Sequence, residues 1–295
     1  MFASFIVHLR PLEISPLGRT LGRSLHGLLL RLISQSDPHL ANALHSDISP
    51  KPFTVSMLRG RLVRHHGSLC ATPEELYRVR YTVLTDETFN ALGHVLLGKL
   101  VEQAPVEIDG KPFALEAISA DPEQSQGWAR VATEQALLAE ASPADRVTLR
   151  FASATTFRTG DMNLLFPLPT SVFGSLARKW EAFCATALPA NLEEFIAGQI
   201  AAERYELATQ VVPYGGHQFN GFVGDCQFRL LHKDPVYCRV VNALAEFALF
   251  AGVGQKTTQG LGQARRLAGW EGGGFRHGPW GDAYSTHSDS TRGQG

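Results

Sequence analysis

The chain has 295 residues, 44% of them hydrophobic and 19% charged, and a formal net charge of −1. That composition excludes a disordered chain and leaves room for two globular domains, while the absence of a global positive field means that any basic surface has to be local. Four cysteines (Cys70, Cys184, Cys226 and Cys238) without a C-x-x-C pair exclude a disulfide framework and a zinc ribbon, and predict reduced thiols in a cytoplasmic protein.

In chain order, FASFIVHL (2–9) predicts a strand, and GRSLHGLLLRLIS (22–34) a helix, because its apolar residues fall at 25, 28, 29, 32 and 33. The opening residues lack the basic start of a signal peptide, and no apolar run reaches membrane-spanning length, so no membrane partner is expected. FTVSML (53–58) and YRVRYTVL (77–84) read as two strands, joined through a basic turn containing RGRLVRHH. TDETFNALGHVLLGKLVEQ (85–103) has a Thr or Asp cap, acidic residues in its first turn and apolar periodicity, which makes it a helix, and FALEAISA (113–120) closes the series as a strand. The order β-α-β-β-α-β is that of the ferredoxin-like unit.

A polar interval follows, and the order then recurs. RVTLRFAS is a strand, TSVFGSLARKWEAFCATAL (170–188) an amphipathic helix, RYELATQVVPYGG and FNGFVGDCQFRLL two strands about a Gly-Gly turn, and VVNALAEFALF (240–250) a second helix. We therefore expect an α+β protein of two tandem ferredoxin-like (βαββαβ, RRM-like) domains with a C-terminal glycine-rich loop. The expected divisions are a first domain over 1–125, a linker over 126–145, a second domain over 146–270 and a mobile tail over 271–295, where Gly, Ser and polar residues offer no periodic apolar face.

The loop lies in FALFAGVGQKTTQGLGQARRL (247–267). It is not a Walker loop, because Gln255 rather than Gly precedes Lys256, and it is not a dinucleotide fingerprint, because Thr257 stands where Gly is needed. It opens where a helix ends. Glycines free to take positive φ, exposed N–H groups and Lys256 suit an anion, while a glycine cap followed by a hairpin-like turn is the alternative reading.

A tandem ferredoxin-like chain ending in a helix, then G-x-G-x-K-T-x-x-G-x-G, then a strand resembles the RAMP superfamily of CRISPR-associated RNA-binding proteins. Residues 151–183, with a strand, a Pro-x-Pro turn and a Leu/Trp-bearing helix, look like the block that opens the second domain of that superfamily. GLLLRLISQSDPHLANALHSDISPKPFTVS (27–56) is similar to the start of the Cas-six family of repeat-processing endoribonucleases. The resemblance implies metal-independent cleavage of precursor CRISPR RNA within its repeats, giving 2′,3′-cyclic phosphate and 5′-hydroxyl ends. It implies precursor and mature CRISPR repeat RNA as partners, allows other effector subunits or a homodimer, and calls for no cofactor. The alternative in the same superfamily is a non-catalytic RNA-binding subunit of an effector complex; a small-molecule enzyme on the same scaffold is more distant.

Metal-free cutting needs a base for the 2′-hydroxyl, an acid for the leaving 5′-oxygen and a cation for the phosphoryl oxygens. His45 ends SDPHLANALH, whose Ser36 or Asp37 can cap a short helix, and stands in the family's Leu-His place; Lys51 matches the lysine that assists it. Some members carry a catalytic tyrosine where this chain has Leu30. His26, four residues earlier on the same helical face, is the candidate substitute. The superfamily setting implies phosphate contacts from Gly252, Gly254, Lys256, Thr257, Thr258, Gly260 and Gly262, with Arg158, Lys179 and Arg265 extending a basic track. His65 and His66 read as a solvated turn or a phosphate contact. Asp47 and Asp225 read as lone loop carboxylates, and His217 as a turn residue. No metal is expected, because none of the 11 histidines falls in an H-x-x-x-H helix or a mixed Cys/His cluster.

Overall fold

Alternation along the first strand decides how the two halves of the molecule meet. In a computed structural model that describes residues 1–46 and 49–270, β1 (Phe2–Pro11) sends Ala3, Phe5, Val7 and Leu9 into one apolar core and Phe2 and Ile6 into another. Side chains of a strand point to opposite faces in turn, so this strand is buried on both.

The first half continues with β2 (Ser15–Pro16), α1 (Leu21–Ser36), α2 (Pro38–His45), β3 (Phe53–Val55), β4 (Val63–His65), β5 (Ser68–Ala71), β6 (Tyr77–Val83), α3 (Asp86–Glu102), β7 (Val106–Ile108) and β8 (Lys111–Ser119). Its main sheet runs β3-β6-β1-β8-β7 with antiparallel pairs. The helices start where local chemistry directs. Thr85 Oγ1 accepts from the Thr88 amide before the acidic first turn of α3, and Asp37 Oδ1 accepts from the Leu40 amide at 2.9 Å to open α2. The basic turn is itself built: β4 and β5 form a hairpin that also pairs with β2, and His66 sits in its turn at φ 48°.

The second half repeats the plan with β10 (Arg146–Thr155), α5 (Pro169–Phe183), α6 (Leu192–Gln199), β13 (Ile200–Tyr214), β14 (His217–Leu230), α7 (Pro235–Ala251) and β15 (Ala264–Leu267), and a two-stranded ribbon of β11 (Phe157–Thr159) and β12 (Met162–Leu164). Its sheet order, β13-β14-β10-β15, matches β3-β6-β1-β8: second, third, first and fourth strand of each unit. The chain is α+β with two ferredoxin-like units in tandem. The segment 126–145 is more than a linker, since β9 (Arg130–Ala132) pairs with β1, α4 (Glu134–Ala139) follows it, and Trp128 is buried in the second core. Asp47 and the tail 271–295 lie outside the described residues.

Helix α7 joins the halves. Twelve of its seventeen residues are buried, because it packs on β10 and β15 of its own unit and on β1, β3 and β6 of the other. A helix between two sheets has to be apolar all round. Its last carbonyls have no helical partner and belong to buried residues, so side chains take them. Arg80 of β6 donates to Leu249 O at 2.8 Å, Thr82 Oγ1 donates to Phe250 O, and Lys179 of α5 donates to Ala251 O at 2.6 Å and to Gly252 O at 3.1 Å. Arg80 is wholly buried and also donates to Ser4 Oγ and the Gln263 side chain.

Candidate active site

Three successive segments of the first half and one loop from the second converge at one end of the α7 junction. Helix α1 brings His26, the end of α2 brings His45, the stretch before β3 brings Lys51, and the loop after α7 closes over α1. The His26 ring is half-buried against Phe53, 5.5 Å between ring centres, and its Nδ1 lies 3.2 Å from Thr258 O. A carbonyl oxygen only accepts, so this contact places the proton on Nδ1 and leaves Nε2 with a free lone pair. Burial lowers the His26 pKa below its ordinary value; the Thr258 bond opposes it, and the charges of His45 and Lys51 add smaller downward pushes. His45 and Lys51 therefore both sit within electrostatic reach of His26. His45 is exposed as the last residue of α2, and Lys51 Nζ donates to Ser46 O just beyond that helix end.

The loop is held by its backbone. Gly252, Gly254, Gly260 and Gly262 take φ of 64°, 81°, 97° and 65°, and Lys256 takes 55° as the only non-glycine residue of the loop at positive φ. Close packing explains the glycines: a Cβ at Gly262 would stand 2.1 Å from Val253 O, and one at Gly254 2.4 Å from Thr156 O. The loop also docks on the first half. Gly260 N–H donates to Val55 O at 2.9 Å, and Gly22 of α1 lies so near that a Cβ there would meet Gln259 O at 2.2 Å.

Residues 1–139 match the family model of the CRISPR Cas6 N-terminal domain, and residues 149–264 match that of CRISPR-associated endoribonuclease Cas6. The chain belongs to the Cas6 family. Among solved structures, a product complex of Thermus thermophilus Cas6 is 27% identical at a TM-score of 0.76, with 90% of this chain and 99% of that chain covered. A second Cas6 product complex is 25% identical at a TM-score of 0.72, with the same shares covered. No curated protein matches the chain.

For a Cas6 fold of this kind, the residues expected to contact RNA divide into two sets. The amides of Gly252, Gly260 and Gly262 already donate to Ala248 O, Val55 O and Ala154 O, so these glycines shape the loop and offer no N–H to a phosphate. Thr257 is buried with Oγ1 3.5 Å from Lys179 Nζ. Lys179 itself is internal, and the expectation of an RNA contact is corrected: position 179 shares the buried face of α5 with Val172, Ser175 and Leu176, and its ammonium serves the end of α7. Desolvation, helped by Arg178, pushes its pKa down to about 7. Gly254, Lys256 and Thr258 remain at the loop surface, and the amides from Lys256 to Thr258 take no part in the bonds just described.

The expected basic track is not continuous. Arg158 is exposed on β11 beside Asp161, and Arg265 lies over the Trp128 ring, 5.3 Å from its centre, in a cleft shared with Arg130, Glu246 and Arg266. Asp225 is a partner of Arg150, at 2.7 Å, and not a free base. Among the described residues, no three His, Cys, Asp or Glu side chains gather to hold a metal ion, and no helix is long and apolar enough to cross a membrane. Sequence reasoning passed over Arg23 and Tyr214. The Arg23 guanidinium stands 4.6 Å above the Tyr214 ring and Lys256 Nζ 5.6 Å from the same centre, and the only hint was an aromatic residue directly before the Gly-Gly turn.

Proposed function

We propose that this chain cuts precursor CRISPR RNA within its repeats without a metal ion, by attack of the RNA's own 2′-hydroxyl on the adjacent phosphate. The observation that carries this is the His26 ring, fixed through Nδ1 to Thr258 O beside His45 and Lys51. Held neutral by burial, His26 offers Nε2 as the base for the 2′-proton. His45, exposed at the end of α2, protonates the departing 5′-oxygen, and Lys51 stabilises the charge that grows on the phosphoryl oxygens. The products are a 2′,3′-cyclic phosphate and a 5′-hydroxyl. This division of work accounts for Leu30, which packs against the first core and carries no proton: the helix face that bears a tyrosine in some relatives bears His26 here.

Kinship with two Cas6 proteins solved as product complexes supports repeat RNA as the substrate. The test is incubation of end-labelled cognate repeat RNA with the protein in excess EDTA. Cutting should persist and leave a cyclic phosphate; cutting that stops in EDTA and returns with a divalent ion refutes the mechanism. His45→Ala should remove most activity, and His26→Ala should lower the single-turnover rate by roughly 10²-fold or more, the usual scale for one acid or base.

A further inference from the structure

The tip of the second sheet's longest hairpin reaches the first half of the molecule, beside the site. Gly215, at φ 64° in the turn between β13 and β14, donates its N–H to Arg19 O at 3.2 Å, which docks the turn on the residues preceding α1. Tyr214 is thereby set between Arg23 of α1, one helical turn from His26, and Lys256 of the loop, two residues from Thr258. Neither cation has a carboxylate within ion-pair distance among the described residues. Two unneutralised charges from different domains share one aromatic ring, which attracts cations through its negative face.

The backbone at Lys256 adds a second observation. Left-handed φ is unfavourable for a residue with a Cβ, and the loop's other positive-φ positions are all glycine. Here the loop keeps a long basic side chain in that conformation, aimed at the hairpin tip. The Tyr214 hydroxyl is buried with no hydrogen-bond partner among the described residues, so it contributes nothing that phenylalanine lacks, and the ring is what the site uses.

We propose that Tyr214 is a positioning residue whose ring holds the Arg23 guanidinium and the Lys256 ammonium together as a two-cation seat for one RNA phosphate next to His26. This rests on the reading of the site as an RNA-cleaving centre. The ring acts through the cations: without it, like charges drift apart and the phosphate meets one cation at a time. Its contribution falls on substrate binding, and chemistry at saturating RNA depends on His26 and His45.

The experiment compares Tyr214→Phe and Tyr214→Leu with the wild-type protein, using cognate repeat RNA for single-turnover cleavage and, for affinity, a DNA oligonucleotide of the repeat sequence, which has the phosphates but no 2′-hydroxyl to react. Tyr214→Leu should weaken binding by about tenfold, from losing two cation–ring contacts. It should also lower the slope of log affinity against log salt by about one, with the cleavage loss in KM and not in kcat. Tyr214→Phe should restore the wild-type values. A cycle with Lys256→Ala guards against a folding defect: in that background, Tyr214→Leu should cost clearly less than it does alone. Wild-type affinity and salt slope in a folded Tyr214→Leu protein, equal losses in the Leu and Phe variants, or full additivity in the cycle overturns the proposal and leaves the cleavage reading untouched. A wild-type protein that binds repeat RNA but does not cut it defeats the cleavage reading and leaves the seat standing; one that binds neither nucleic acid defeats both.

Discussion

Gly22→Ala sets helix propensity against packing, and the structure decides the sign. Gly22 is the second residue of α1, so propensity alone predicts a protein more stable by at most about 1 kcal/mol, the margin that favours alanine over glycine in a helix interior. At position 22, however, the new Cβ would stand 2.2 Å from Gln259 O, 3.1 Å from its carbonyl carbon and 3.3 Å from Met57 Sδ. The nearest of these atoms is backbone and cannot rotate away, so α1 and the loop must separate by about 1 Å to reach van der Waals contact. The 3.2 Å contact of His26 with Thr258 O and the 2.9 Å bond from Gly260 to Val55 O flank that point, and neither survives such a shift. Overpacking costs about 1–3 kcal/mol, and two lost hydrogen bonds add about 1 kcal/mol each. Set against the propensity gain of about 1 kcal/mol, they leave an expected net loss of about 2–4 kcal/mol. Urea denaturation measures the stability, and single-turnover cleavage measures the effect on His26, which should be at least tenfold. A variant stabilised by about 1 kcal/mol with wild-type cleavage refutes the argument that the α1–loop contact aligns the site.

Lys179→Met leaves two buried carbonyls without this donor, and at about 1–3 kcal/mol each the protein should lose about 2–6 kcal/mol in denaturant titration. Because the folded-state pKa of Lys179 lies near 7, below the ordinary 10.5, the native protein holds fewer protons than the unfolded chain between those values, so wild-type stability should rise with pH across that window while the Met variant lacks the rise. For His26 the pKa is also lowered, so the acid limb of the single-turnover pH profile should fall below pH 6.5 and disappear as a distinct step in His26→Ala. Lys256→Ala should weaken repeat RNA more than it slows the bound complex, since a phosphate clamp acts on ground and transition states alike; unchanged affinity would return the loop to being a turn alone.

The fold was legible because its elements carry strong periodicity: 2–9, 22–34, 85–103 and 240–250 all formed as expected, and the Gly-Gly turn divides β13 from β14 at residues 215 and 216. The loss of information lies at the second face of each element. In YRVRYTVL, alternation puts Arg78 and Arg80 on one side, which reads as solvent, yet α7 from the other half covers that side and Arg80 is wholly buried. Lys179 had a signal that was not used, since a residue three after Leu176 and seven after Val172 belongs to the buried stripe. At the loop, glycine spacing indicated close backbone approach but not which backbone. The partners are Thr156, Val253 and Val55 of the protein itself, so most of the amides that looked free for an anion are engaged. His26 was reachable from sequence because helical geometry ties it to position 30; Tyr214 was not, because no local pattern tells that a hairpin tip crosses to another domain.

The bond from Gly260 to Val55 has a meaning for how the molecule is made. Strand β3 is the outermost strand of the first sheet, and residue 260, some two hundred positions later, covers its open side with a one-residue parallel bridge at Ser56, while Gln263 Nε2 reaches Val55 O as well. An uncovered sheet edge is a template for strand addition from another chain. The amino-terminal unit therefore leaves the ribosome with this edge unguarded and keeps it so until residue 260 arrives. A chain stopped before the glycine loop would lack more than a nucleic-acid contact: it would present a sticky rim to its neighbours, and solubility would be lost along with activity.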